Sequence, residues 1–285
     1  MKVNAGMSGQ RVEIIAIFVI DGLNSNAALS RLIEHYREKV VLVCNSKRRR
    51  GKHVSFWDQV KDAYRKRGIC FMTYPTFSHS YYKAFIRIGA VVNKLLRRPR
   101  KIYSLEQISR RYGAKLIHTK DVNSQEMIQL LGQTRPDLII TACFDQLVGK
   151  EILKIPRVAA INIHPGLLPY YRGPAPNFWA LLHGEKQVGV TVHLIDGTFD
   201  TGAILKQRAV ETPNNKSIFA INYQLMKIGA ELAVEAIAEI EAGTCKAIKQ
   251  QGGRYFSNPG LDDIRESKKK GIRLYSFSDF VRCFI

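Results

Sequence analysis

A chain of 285 residues can bury a substantial core, since a protein of about 300 residues removes roughly 75% of its unfolded surface from water. With 44 Lys and Arg against 24 Asp and Glu it carries a formal charge of +20, which points to an anionic partner: nucleic acid, a phosphorylated metabolite or an acidic membrane surface. No apolar run reaches the roughly 18 residues of a membrane span, and the opening MKVNAGMSGQ lacks the apolar segment of a secretory signal, so a cytoplasmic location is expected.

In chain order, VEIIAIFVI (12–20) is a continuous β-branched run of the kind that forms a strand buried on both faces. DGLNSN supplies turn and cap residues, AALSRLIEHY has helical spacing and VVLVC is a second strand, a β-α-β opening. Residues 46–103 then break the alternation with a basic cluster, SKRRRGKH, and read as an insertion. Its last part, YYKAFIRIGAVVNKLLRR (81–98), spaces Tyr81, Phe85, Ile88, Val92 and Leu95 along one helical face, with Lys83, Arg87, Lys94, Arg97 and Arg98 elsewhere: a basic amphipathic helix.

Alternation resumes with SLEQISRRYGA as helix, KLIHT as strand, VNSQEMIQLLGQ as helix, PDLIITA and VAAINI as buried strands and APNFWALLHG as helix. GVTVHLID and AILKQRAV follow as strands, then a long helix over 217–243 and a basic tail. Strands interleaved with helices predict an α/β fold around a mostly parallel sheet. The expected division is a catalytic domain over 11–243, with the insertion 46–103, and a short basic extension over 244–285. The five cysteines, Cys44, Cys70, Cys143, Cys245 and Cys283, are odd in number and far apart, so reduced thiols and no metal site are expected.

Ligands in such sheets bind beyond the carboxyl ends of the strands, and VAAINI ends there on Asn162 and His164. Residues two apart on a strand share a face, so the amide and the imidazole could hold one substrate oxygen together. Pro165, Pro169, Pro174 and Pro176, with Gly166 and Gly173, then stiffen the connection. Leu167 and Leu168 are expected to anchor it inward. Far downstream, Asp200 lies in the turn IDGTFDTGAI between two strands. The other histidines, His35, His118, His183 and His193, fall on helices or strands and read as packing or surface residues, while His53 and His79 sit in the insertion.

INIHPGLLPYYRG with the distant DGTFDTGAI resembles the signature of the 10-formyltetrahydrofolate-dependent formyltransferases, N-x-H-x-S-L-L-P-x-x-x-G with a remote Asp. That family includes glycinamide ribonucleotide, methionyl-tRNA and amino-sugar formyltransferases. Gly166 stands where the family usually has Ser. The resemblance covers roughly residues 11–210 outside the insertion and implies a Rossmann-like, doubly wound, mostly parallel sheet. It implies 10-formyltetrahydrofolate as co-substrate and Asn162, His164 and Asp200 as catalytic residues. Asn162 would donate to the oxyanion, His164 would assist as donor or proton carrier, and Asp200 would orient His164 and help remove a proton from the attacking amine. For the folate it implies the loop ACFDQLVG and the turn 195–200, with Phe144, Gln146, Leu147, Ile195 and Asp196 as the binding residues.

The turn Gly22-Leu23-Asn24-Ser25-Asn26 resembles the phosphate-binding turn of glycinamide ribonucleotide formyltransferase, with Asn24 in place of a Gly, and a plain helix cap is the competing reading. Gly22, Asn24, Ser25 and Arg172 are accordingly the expected substrate-binding residues. The expected acceptor is a primary amine of an amino-sugar, nucleotide- or lipid-linked. About forty residues follow Gly243, too few for the C-terminal barrel of methionyl-tRNA formyltransferases, so tRNA is the less favoured acceptor. A folate hydrolase and a non-catalytic nucleic-acid binder are the alternatives from other classes. The basic helix and the tail ESKKKGIRLYSFSDFVRCFI suit peripheral contact with an anionic membrane.

Overall fold

A computed structural model describes residues 9–48, 82–98, 103–212, 217–276, 278 and 279. The first strand, β1 (Ile15–Val19), is buried at every position, as its unbroken apolar run requires of a strand covered on both faces. It leads into α1 (Leu23–Tyr36), a short 3₁₀ turn and β2 (Val40–Ser46). α2 (Tyr82–Leu95), α3 (Leu105–Tyr112), β3 (Lys115–Thr119), α4 (Gln125–Thr134) and β4 (Leu138–Ala142) follow. Ser104 begins α3 with a capping box to Gln107, and Ser124 caps α4 through the Met127 amide, the local signals that start both helices.

After α5 (Lys150–Leu153) the chain enters β5 (Ala159–His164), β6 (Tyr171–Arg172) and α6 (Pro176–Leu182). A hairpin of β7 (Gln187–Leu194) and β8 (Ile204–Glu211), the long α7 (Ile218–Ala242), β9 (Arg254–Tyr255) and α8 (Leu261–Lys269) complete the described elements. The main sheet runs in the order β3-β2-β1-β4-β5-β7-β8; its first five strands are parallel, and β7 is antiparallel to both of its neighbours, β5 and β8. Alternation of side chains along β1 divides the core in two. Ile15, Ile17 and Val19 face a large cluster under α1, α3 and α7; Ala16 and Phe18 face a smaller one under α4 and α5.

The expected α/β sheet is therefore present, with each interleaved strand and helix close to its sequence bounds. Residues 244–276 do not hang free, because β9 pairs in parallel with β6 and α8 packs on α6. Of the insertion, α2 is seen, whereas SKRRRGKH beyond Arg48, His53, Cys70, His79 and Tyr81 lie outside the described residues, as do Cys283 and most of the tail after Ser276. On α2 the face turned to the body carries Ile86, Gly89 and Asn93, while Ile88 and Leu95 of the apolar face are exposed. Among the described residues no helix is long and apolar enough to cross a membrane.

Candidate active site

Strand register assembles the site. Thr141 of β4 pairs with Asn162 of β5, and Asn162 pairs with His193 of β7, so three polar side chains form one row across neighbouring strands. In that row the Thr141 hydroxyl donates to Asn162 Oδ1 at 2.6 Å. His193 Nδ1 lies 2.7 Å from the carbonyl oxygen of Leu194, which can only accept, so Nδ1 carries the proton and Nε2 is a lone pair. Asn162 Nδ2 donates to that Nε2 at 3.1 Å and approaches Asp200 Oδ1 at 3.5 Å. The carboxamide is thereby fixed with its N–H groups toward His193 Nε2 and Asp200 Oδ1.

His164 closes the other side of Asp200. Its Nε2 lies 2.8 Å from the Tyr171 carbonyl oxygen and must donate to it, which leaves Nδ1 unprotonated when the ring is neutral. That lone pair faces Asp200 Oδ1 across 3.4 Å. Burial pushes the His164 pKa below its ordinary value, against the pull of the Asp200 charge. Burial works against ionisation of Asp200 too, yet His164, His193 and the Gly173 N–H together hold its carboxyl well below the usual carboxylate range. At neutral pH the pair is thus an imidazole and a carboxylate with no proton between them.

The loop holding this pair is stiffened by packing as well as by its prolines. Leu168 is buried and its amide donates to Thr191 Oγ1 at 3.3 Å, while Leu167 is half-buried. Gly166 has a steric reason: a Cβ there would stand 2.7 Å from His164 Nε2 and 2.6 Å from Pro176 Cβ, closer than side-chain atoms approach one another. Gly173, at φ +107°, donates its N–H to Asp200 Oδ2 at 2.8 Å. Asp200 is itself left-handed at φ +56°, an uncommon conformation that Asp adopts more readily than most residues. Gln250, from the segment after α7, steadies it by donating to the main-chain oxygens of Asp200 and Gly202 at 3.1 and 2.6 Å.

Beside this cluster a cleft is lined by Thr141, Phe144, Leu147, Val148, Asn162, His193, Ile195, Thr198, Phe199 and Asp200. Its lining mixes apolar side chains with the polar groups of Asn162 and Asp200, the composition of a site that covers a ring and orients its reactive group. Phe144, Leu147 and Ile195, expected from the sequence, are on its wall. Gln146 lines it too, but its amide is engaged at both ends, accepting from Val122 N and donating to Ser46 Oγ, so it acts as a strut of the loop. Asp196 is exposed and off the cleft wall, its carboxylate bonded to Thr198 and Thr201.

The turn at the start of α1 also differs from the expected phosphate cradle. The Ser25 hydroxyl points inward to the main-chain oxygens of Ile20 and Gly22, and Gly22 and Ser25 are buried while Asn24 is half-buried. Asp21, just before the helix, has its carboxylate paired with Lys83 at 3.0 Å. Arg172 donates to the Gly252 carbonyl at 2.7 Å and to Gln250 Oε1 at 3.4 Å, so it fastens the segment after α7 to the site loop. Three residues of the cluster escape sequence reasoning. His193 reads as a packing residue and Thr141 as part of an apolar strand until the register is known, and Gln250 lies in a segment with no periodic signal. Among the described residues no group of His, Cys, Asp and Glu is placed to hold a metal ion.

A mostly parallel α/β sheet brings an amide, an imidazole and a carboxylate together at its carboxyl edge, an arrangement whose chemistry suits a polarised carbonyl. The chain belongs to the formyl transferase family, whose model, described as "Formyl transferase", matches residues 89–237. It is 31% identical over 175 residues to a methionyl-tRNA formyltransferase of Kosmotoga olearia, covering 60% of this chain and 56% of that one. A second methionyl-tRNA formyltransferase, from Clostridium botulinum, is 37% identical over 139 residues, 49% of this chain and 45% of the relative. The chain thus spans about half the length of these relatives. In fold it is similar to glycinamide ribonucleotide transformylase 1 of Symbiobacterium toebii, with a TM-score of 0.56, 19% identity, and coverage of 85% of this chain and 100% of that one. A sugar N-formyltransferase from a Shewanella species gives a TM-score of 0.53 at 16% identity, covering 86% and 77%.

Proposed function

We propose that the protein transfers a formyl group from 10-formyltetrahydrofolate to a primary amine of an amino-sugar, nucleotide- or lipid-linked. The observation that carries this reading is the lone pair of His164 Nδ1 facing the Asp200 carboxylate beside the fixed N–H groups of Asn162. The folate supplies an activated formyl carbon, and its ring suits the apolar lining of the cleft. As the amine nitrogen bonds to that carbon, the formyl oxygen becomes negative and the Asn162 amide donates to it, a contribution of about 3 to 4 kcal/mol for one preorganised donor. The proton lost by the amine settles on His164 Nδ1, where the Asp200 charge stabilises the imidazolium. His164 then returns it to the departing folate nitrogen as the old carbon–nitrogen bond breaks.

The sugar acceptor is in keeping with the similarity in fold to a sugar N-formyltransferase, a likeness that extends to glycinamide ribonucleotide transformylase. A lipid-linked sugar would bring the enzyme to a membrane surface. The sequence relatives favour a second reading, transfer to methionyl-tRNA, which the net charge of +20 would also serve. Incubation with 10-formyltetrahydrofolate, with and without amino-sugar nucleotides or methionyl-tRNA, tests both. Folate release that requires an amino-sugar supports the proposal, release that requires the tRNA replaces the acceptor, and amine-independent release makes the protein a hydrolase.

A further inference from the structure

Helix α2 faces outward with the residues a globular helix would bury. Ile88, Val91 and Leu95 recur at three and four positions, which puts them on one stripe. They are 59%, 59% and 77% exposed, and Leu96 beyond them is 52% exposed. The buried side holds Ile86, Gly89 and Asn93 instead. The stripe is rimmed by exposed Arg87, Lys94, Arg97 and Arg98, and residues 82–98 contain no Asp or Glu. The helix is also anchored. Lys83, near its N-terminal end, pairs with Asp21 at 3.0 Å and Glu106 at 2.5 Å, and Asp21 follows β1 at the carboxyl edge of the sheet.

A compact aliphatic stripe inside a purely cationic rim complements one kind of surface, anionic on the outside and apolar beneath. Nucleic acid would pair with the cations and leave four aliphatic side chains against phosphate and water. A second copy of this chain meeting the same face would set four cations against four like charges. We propose that α2 docks the protein on an anionic lipid bilayer, with Ile88, Val91, Leu95 and Leu96 entering the acyl boundary and Arg87, Lys94, Arg97 and Arg98 among the headgroups. The contact does not depend on the proposed reaction. If that reaction holds, the Lys83 anchor brings the edge of the sheet that carries Asn162 and His164 toward the membrane, where a lipid-linked amine would be met.

Flotation of the full chain with vesicles tests this, using phosphatidylcholine alone and phosphatidylcholine with phosphatidylglycerol, at low and high salt. The expected result is binding to the anionic vesicles only, weakened by salt. Replacing Arg87, Lys94, Arg97 and Arg98 by Gln should weaken binding by about fivefold per cation removed. An Ile88→Asp/Leu95→Asp variant should lose binding while keeping all four cations, and both variants should retain the wild-type thermal melt and the wild-type rate on a soluble amine. No binding by the wild type overturns the proposal, as does equal binding by wild type and variants. A dimer in light scattering that Leu95→Asp dissociates, without vesicle binding, assigns the stripe to a second copy and overturns it too.

Discussion

Thr141 and Asn162, partners across β4 and β5, share a hydrogen bond in which the Thr141 hydroxyl donates to Asn162 Oδ1 at 2.6 Å. An asparagine amide turned end for end would present its oxygen to the reacting carbonyl and repel the charge that forms there. Thr141 on one side and the lone pair of His193 Nε2 on the other select the opposite orientation, the one the proposed reaction needs.

Thr141→Val keeps the β-branched shape and removes that donor. The expected outcome is a folded enzyme with kcat lowered about tenfold or more, against the 10²- to 10³-fold expected when an oxyanion donor is removed outright. Steady-state kinetics beside Asn162→Ala measures both. A Thr141→Val enzyme as slow as Asn162→Ala, or as fast as wild type, would show that the hydroxyl does not set the amide.

The buried imidazole makes stability depend on pH in a defined direction. His164 has a lowered pKa in the fold, so the unfolded chain, at about 6.5, binds the proton more tightly. Its contribution is fully present above about pH 6.5 and is lost as pH falls below that value, until the folded group also takes up a proton. Asp200 follows at lower pH: its depressed folded pKa gives stability present above about 3.9 and lost beneath it. Thermal melts of wild type and His164→Gln from pH 7.5 to 5 should therefore converge as the pH drops. Parallel curves would mean that His164 does not titrate as its burial requires.

Gln250 holds Asp200 and Gly202 by their main-chain oxygens, and Asp200 needs that help because of its left-handed backbone. Gln250→Ala should cost about 1 to 3 kcal/mol in unfolding free energy, the scale of leaving partly buried acceptors unmet. It should lower kcat more than KM, because the carboxylate drifts from His164 while the cleft wall is untouched. Denaturant melts and kinetics separate the two effects; unchanged kcat would leave Gln250 with a purely structural role.

Much of this was legible before any coordinates. The continuous apolar runs and the three-to-four spacings located the strands and helices of the main sheet, and Asn162 and His164 were legible as polar residues at a strand end. Pairwise register was not legible, and without it neither Thr141 nor His193 had a neighbour to act on. Gln146 and Asp196 looked available because their hydrogen-bond partners, Ser46 and Val122 for one and Thr198 and Thr201 for the other, depend on how the loops close. The spacing gave α2 an apolar side, but which way that side turns was not legible. An apolar face predicts burial only when something covers it, and periodicity does not say what.

The account rests on a proton passing from the attacking amine to His164 under the charge of Asp200. Single-turnover release of tetrahydrofolate from 10-formyltetrahydrofolate, with the accepted amine in excess, measures that step in wild type, His164→Ala and Asp200→Asn. Both variants should melt as folded proteins and be slower by about 10²- to 10⁴-fold, the range for a lost proton-transfer group. Wild-type release by either folded variant would contradict the account.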